Sequence, residues 1–276
     1  MSNKINFGVA AAVGALILLP IANLLLVQHR HVQCAWVVTM FLMMLFCVLA
    51  GQKLTGRLPG LLIDERNVIS LSRFQMILWT IVVLSAFITA AFYNIFNNID
   101  SPLSIAIPSQ VWLAMGISTA SLVGTSLILG QKSQKPLDPA VAVTAAQQYD
   151  LVGQPPAPAP ALAPAAVAQP LPAPLPSAAV TNKGQLVCNK SIADASWSDM
   201  VTGDDFTNGA HLDLAKVQML FFTIIIIVSY AYGIWRLFGF APADGLTAFP
   251  ALDESTIALL GISHSGYLVN KAVPHN

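Results

Sequence analysis

The sequence predicts an all-α fold, a polytopic helical membrane protein with six transmembrane helices. Three observations carry that reading: charge is scarce, apolar residues are gathered into long runs, and one short phrase is written twice. The 276 residues are 55% hydrophobic and 9% charged, with a mean hydropathy of +0.67, whereas soluble domains carry about 25% charged residues. The apolar runs fall at about 7–27, 34–51, 72–96, 110–130, 214–238 and 254–272. Each approaches the roughly 20 residues that a helix needs to cross a hydrocarbon core about 30 Å thick. The phrase Gln75-Met-Ile-Leu-Trp-Thr80 returns as Gln218-Met-Leu-Phe-Phe-Thr223, and each copy is followed some forty residues later by Gly-Ile-Ser.

Taken in order, residues 1–52 form an N-terminal pair of spans. The first run is too long for the apolar region of a signal peptide, and no small-residue cleavage site precedes His29-Arg30-His31, so it reads as a retained span. Within it, Asn23 suits an internal polar contact and Pro20 a kink. Residues 53–69 form a juxtamembrane collar and 70–130 a transmembrane hairpin. Residues 131–184 read as a disordered Pro/Ala-rich linker, because 11 of the chain's 18 prolines fall between Pro136 and Pro176 and favour extended, coreless conformations. A second collar, 185–212, precedes a second hairpin, 213–276.

The two hairpins align. An offset of 143 pairs Arg73 with Lys216, Gln75 with Gln218 and Thr80 with Thr223, and an offset of 145 pairs Gly116-Ile117-Ser118 with Gly261-Ile262-Ser263. Two hairpins of one orientation are parallel repeats, and a pseudo-two-fold axis along the membrane normal is the expected relation.

Orientation follows from Lys and Arg, which are enriched in cytoplasmic segments. With the N terminus inside and six crossings, eleven basic residues lie inside, and only Arg30 and Arg236 outside. Both termini and the 131–212 segment are therefore expected in the cytoplasm, with the chain in the plasma (inner) membrane. Net charge is zero, so no basic field points to nucleic acid.

Ser70 and Asp213 suit helix N-caps, and Arg73 and Lys216 suit anchors at headgroup level. Gln75 and Gln218 lie about one turn further in, where an unpaired amide is costly; with Thr80 and Thr223 they read first as helix association residues, the two glutamines facing each other, and second as a ligand site. Gly116, Ser118, Gly261 and Ser263 permit close helix approach, and Gly116, Ala120 and Gly124 form a small-residue row. The sixth run is the most polar, and His264, Ser265 and Tyr267 are its candidates for a polar pathway. In the collars, Asp64, Asn67, Trp197, Asp205 and Asn208 are candidates for docking a partner.

No catalytic residue, metal or cofactor is implied. Cys34, Cys47 and Cys188 lack ligand spacing, and no P-loop, dinucleotide fingerprint, nucleophile elbow or His-Glu-x-x-His helix occurs. The reading that results is a non-enzymatic membrane scaffold or assembly subunit, embedded in lipid and associating with itself or with another membrane or cytoplasmic protein. The alternative is an oligomeric channel or passive transporter lined by the sixth span.

Overall fold

The computed structural model describes residues 2–152 and 180–275. Its helices are α1 (Ser2–Gln28), α2 (Val32–Thr55), α3 (Leu71–Phe96), α4 (Ser109–Gln134), α5 (Pro139–Val152), α6 (Leu214–Gly239) and α7 (Glu254–Ala272), with a two-stranded antiparallel hairpin of β1 (Val180–Lys183) and β2 (Leu186–Asn189). Five helices, α1 to α4 and α6, are long and apolar enough to cross a membrane, and the chain is a multi-pass helical membrane protein. The sixth predicted span, α7, has the length at 19 residues but is not among those five. Its serines, His264 and Asn270 lower its hydropathy.

Helices α1 and α2 pack on each other and against α3. Buried Asn23 ties all three together, its Nδ2 donating to Thr39 Oγ1 at 2.6 Å and to Thr89 Oγ1 at 2.8 Å. Trp36 Nε1 adds a bond to Ser85 Oγ at 2.9 Å. Such bonds fix rotation between apolar helices, because lipid supplies no competing partner.

The remaining four long helices form a ring in which α3 packs on α4, α4 on α7, α7 on α6 and α6 on α3. This order differs from the two-fold expectation. A two-fold axis along the bundle would set α3 across the diagonal from α6, yet α3 lies beside α6 and α4 beside α7. The hairpins are stacked side by side, one displaced on the other.

The loops at one end show the same relation. Ala106 and Ala248 form a parallel bridge, with Ala106 N donating to Thr247 O at 2.7 Å and Phe249 N to Ala106 O at 2.9 Å. Both lie in an Ala-x-Pro triplet, Ala106-Ile107-Pro108 and Ala248-Phe249-Pro250. Buried Asn94, at the end of α3, clamps the second loop. Its Nδ2 donates to Leu246 O at 2.9 Å and its Oδ1 accepts from Leu246 N at 2.7 Å.

At the opposite end the two collars, separate in the sequence reading, form one layer. Asn67 Nδ2 donates to Asn189 O at 2.9 Å and Asn189 Nδ2 to Asn67 O at 2.8 Å. Arg57 donates to the carbonyls of Ala193 and Ala195 at 2.6 and 2.9 Å.

The linker boundaries also change. Residues 153–179, which hold most of its prolines, lie outside the described residues. Of the rest of 131–184, α4 continues to Gln134, α5 occupies 139–152 and β1 begins at Val180. Asp138 starts α5, its Oδ1 accepting from Ala140 N at 2.8 Å. Pro139 then fills the first helical position, where no N–H is needed. Tyr149 seals α5 to the collar, donating to Phe206 O at 2.8 Å with the rings 5.2 Å apart, and burial pushes its hydroxyl pKa up to about 12.

Candidate functional site

Two polar assemblies stand out at the four-helix ring. One is a charged cluster where the collar meets the helix ends, and the other is a layer of uncharged polar side chains inside the four-helix ring.

The charged cluster is built around Asp204 and Asp205, in the loop that follows β2. Asp204 pairs with Arg66 at 2.9 Å, Lys216 at 3.1 Å and Lys271 at 2.7 Å. Asp205 takes Lys132 at 2.8 Å on both carboxylate oxygens and accepts from His275 N at 3.1 Å. These four cations come from the loop before α3, the end of α4, the start of α6 and the end of α7, and all are buried. Arg66 is also held by Asp64 at 2.9 Å. Burial alone would push the Asp204 carboxyl up, but Lys216, Lys271 and Arg66 outweigh it and hold that group well below the usual carboxylate range. Two adjacent carboxylates thus fasten the second collar to the first and to the ends of α4, α6 and α7 at this face of the ring.

The cluster alters several expectations. Lys216 is turned into protein rather than toward lipid headgroups, and Arg73 donates to Ile63 O at 2.6 Å. Asp213 caps α6 as expected, accepting from Ala215 N at 2.9 Å, whereas Ser70 occupies the N-cap position of α3 without a side-chain capping bond. Of the docking candidates, Asp205 is buried in its ion pair, Asp64 holds Arg66, and Asn67 bonds Asn189. Asn208 Oδ1 accepts from Asp205 N at 3.0 Å. Those four shape the collar from within, and Trp197, 56% exposed, is the member that faces outward.

Inside the ring, Gln75 Nε2 donates to Thr223 Oγ1, both side chains being fully buried. The expected Gln75–Gln218 pair does not form, because Gln218 is exposed on the far side of α6, and Thr80 is exposed and bonds only Met76 O. The reason is helical geometry: positions five apart lie about 140° around the axis, so a Gln and the Thr that follows it cannot share one face. Each hairpin therefore turns one member of its Gln/Thr pair inward.

Nearby, Ser72 Oγ lies 3.2 Å from Thr125 Oγ1, which lies 3.3 Å from the Tyr267 hydroxyl, joining α3, α4 and α7. Ser118 and Ser263 are both buried, and Ser118 bonds Ala114 O at 3.1 Å. Gly261 and Gly124 lie on the α4–α7 contact, whereas Gly116 and Ala120 are exposed. The three pathway candidates do not line one surface. His264 and Tyr267, three positions apart and so on one side of α7, point inward, while Ser265 points outward.

Several buried polar atoms in this ring have no hydrogen-bond partner among the described residues: both ring nitrogens of His264, Ser263 Oγ, Ser121 Oγ, Trp79 Nε1 and the Tyr230 hydroxyl. Each such group costs about 1–3 kcal/mol when left unpaired.

The charged cluster was not anticipated from the sequence. Its signal was the Asp204-Asp205 doublet together with a basic residue at the collar end of α4, α6 and α7. Compared with known proteins, the chain matches no family model, and neither a curated protein nor a solved structure is significantly similar to it.

Proposed function

We propose that the chain is a non-enzymatic scaffold or assembly subunit of the plasma (inner) membrane, with six spans, two parallel hairpin repeats and a cytoplasmic collar that docks a partner. The observation that carries this reading is the fastening of the collar to the ring by the Asp204-Asp205 cluster. Four cations converging on two acids make the collar a fixed platform, and an exposed Trp197 on a fixed platform is the kind of aromatic anchor that partner surfaces use. Counting α7 as the sixth span is supported by its packing along α4, and by Lys271, near its end, which joins the same cluster as Lys132 at the end of α4.

The unpartnered polar layer around His264 favours a second reading, an oligomeric channel or passive transporter. Gentle extraction from native membranes, followed by mass determination and identification of what copurifies, separates the two. The scaffold reading expects a reproducible heteromeric complex that Trp197→Ala weakens at least tenfold while the chain itself stays folded. A complex made only of this chain, conducting ions after reconstitution, would replace it with the channel.

A further inference from the structure

We propose that copies of this chain associate head to tail within the membrane, the α3–α4 face of one receiving the α6–α7 face of the next. This contact repeats the one that the two hairpins already make with each other inside a single chain.

The argument begins with that internal contact. Hairpin α3–α4 contributes Gln75, Trp79, Val82 and Ala86, which are buried. Hairpin α6–α7 meets them with Thr223, Ile227, Tyr230 and Leu260, also buried. Gln75 bonds Thr223, the Trp79 and Tyr230 rings lie 5.9 Å apart, and the apolar members belong to one core. The two sets occupy different positions of the repeat, so the interface is heterologous, and a heterologous interface leaves one unused half on each side.

Both unused halves are present and open. The α3–α4 counterparts of the Thr223 set are Thr80, Leu84, Phe87 and Met115, and with Trp112 they line an apolar groove on the outer surface of that hairpin. The α6–α7 counterparts of the Gln75 set are Gln218, Phe222, Ile225 and Ser229. Gln218 is exposed, and the other three line a second open groove together with Gly233.

The second helix of each hairpin agrees. Within the chain, Ile117 lies against Gly261, and a Cβ added at Gly124 would come within 3.2 Å of Leu268. The α7 counterparts of Ile117 and Gly124 are Ile262 and Val269, 68% and 65% exposed. The α4 counterparts of Gly261 and Leu268 are Gly116 and Val123, both exposed as well.

Apolar residues facing lipid need no partner, but Gln218 presents an exposed amide from an apolar helix, and lipid offers it no hydrogen bond. Thr80 on the opposite face is the hydroxyl that mirrors Thr223; it donates to Met76 O within its own helix and keeps lone pairs that can accept from such an amide. Ser229 and Gly233 keep the α6 face as low as Ala86 and Ala90, both fully buried, keep the face of α3. The occupant that fits each groove is therefore the other groove's own hairpin, supplied by a second copy. Repetition of this contact closes a ring or extends a row. As a statement about one partner of the assembly subunit it rests on that reading, yet it is tested by self-contact alone.

The test places a benzophenone amino acid at Leu84 of the full-length chain, co-expressed in native membranes with a differently tagged copy. Irradiation should yield a two-chain adduct whose far end maps to 218–229 of the other copy. An adduct joining α3 to α3, or adducts to lipid alone, would overturn the proposal. Ile225→Trp, at an exposed position, should reduce the adduct at least tenfold, and Gln218→Leu severalfold. Undiminished adduct in both variants would also overturn it. Copurification of a heterologous partner is read separately, so either idea can fail without the other.

Discussion

Asp204 shows how much one side chain can organise. It is an acid in a loop, unremarked by any motif, yet it holds cations from three elements in a buried cluster. Removing one partner of such a cluster strands the rest in a poor solvent, a loss of about 3–5 kcal/mol. Asp204→Asn is therefore expected to destabilise the folded chain by about that amount and to expose the collar to limited proteolysis at neutral pH. The acid dependence has a definite sign. The Asp204 carboxyl lies below its ordinary value in the fold, so its contribution is complete above about pH 4 and is lost as pH falls through the depressed value. Cleavage within 185–212 of the wild-type chain should accordingly rise on acidification below about pH 4 and recover on neutralisation. Unchanged protection of the variant at pH 7 would remove Asp204 from this role.

At the scale of elements, the sequence and the packing part company in an instructive way. The repeated Gln-Met-x-x-x-Thr phrase suggests that like residues do like work, but α3 buries its glutamine whereas α6 buries its threonine. Chain identity cannot specify which face of a helix is covered, because that depends on which neighbour arrives. Gln75→Ala should lower the stability of the isolated chain by about 0.6–2 kcal/mol, the range of hydrogen bonds between membrane helices, whereas Gln218→Ala should leave it unchanged. Thermal unfolding of both variants as monomers in detergent checks the contrast, and equal losses would contradict the observed packing. The collar elements follow the same logic. Helix α5 forms because Asp138, Pro139 and an Ala-rich run favour it locally, and it stays in place because Tyr149 reaches Phe206. Proline density alone did not locate its start, since Pro136 precedes the helix and Pro139 opens it rather than interrupting it.

For the whole molecule, the bias of eleven basic residues against two gave an orientation before any packing was known. Among those eleven, Arg66, Lys132, Lys216 and Lys271 prove to be buried in ion pairs. Topology is set while the chain inserts, so a residue can orient the protein first and be enclosed afterwards. Testing that orientation needs an accessible probe. Cys188 is unsuitable, because it is buried and burial raises its thiol pKa. Ser198, exposed on the collar, is the better position. Ser198→Cys should resist a membrane-impermeant maleimide in intact cells and react within minutes in inverted vesicles. The reverse pattern would place the collar outside and invert the molecule.

That the chain is helical and crosses a membrane several times was legible in the sequence alone, because about 20 consecutive apolar residues have few other stable destinations than a membrane-crossing helix, whereas α5 was not expected and α7 is not among the five helices apolar enough to span. The cap at Asp213 was legible for a similar reason, since it is a local pattern with a local cause. The order of helices around the ring, the pairing of Gln75 with Thr223, the union of the two collars and the Asp204 cluster were decided only by tertiary structure. Each depends on contacts between residues far apart in the chain, such as Arg66 and Asp204 or Asn94 and Leu246. In a bundle whose helices are apolar on nearly every side, periodicity does not say which face is covered, and only packing between neighbours can.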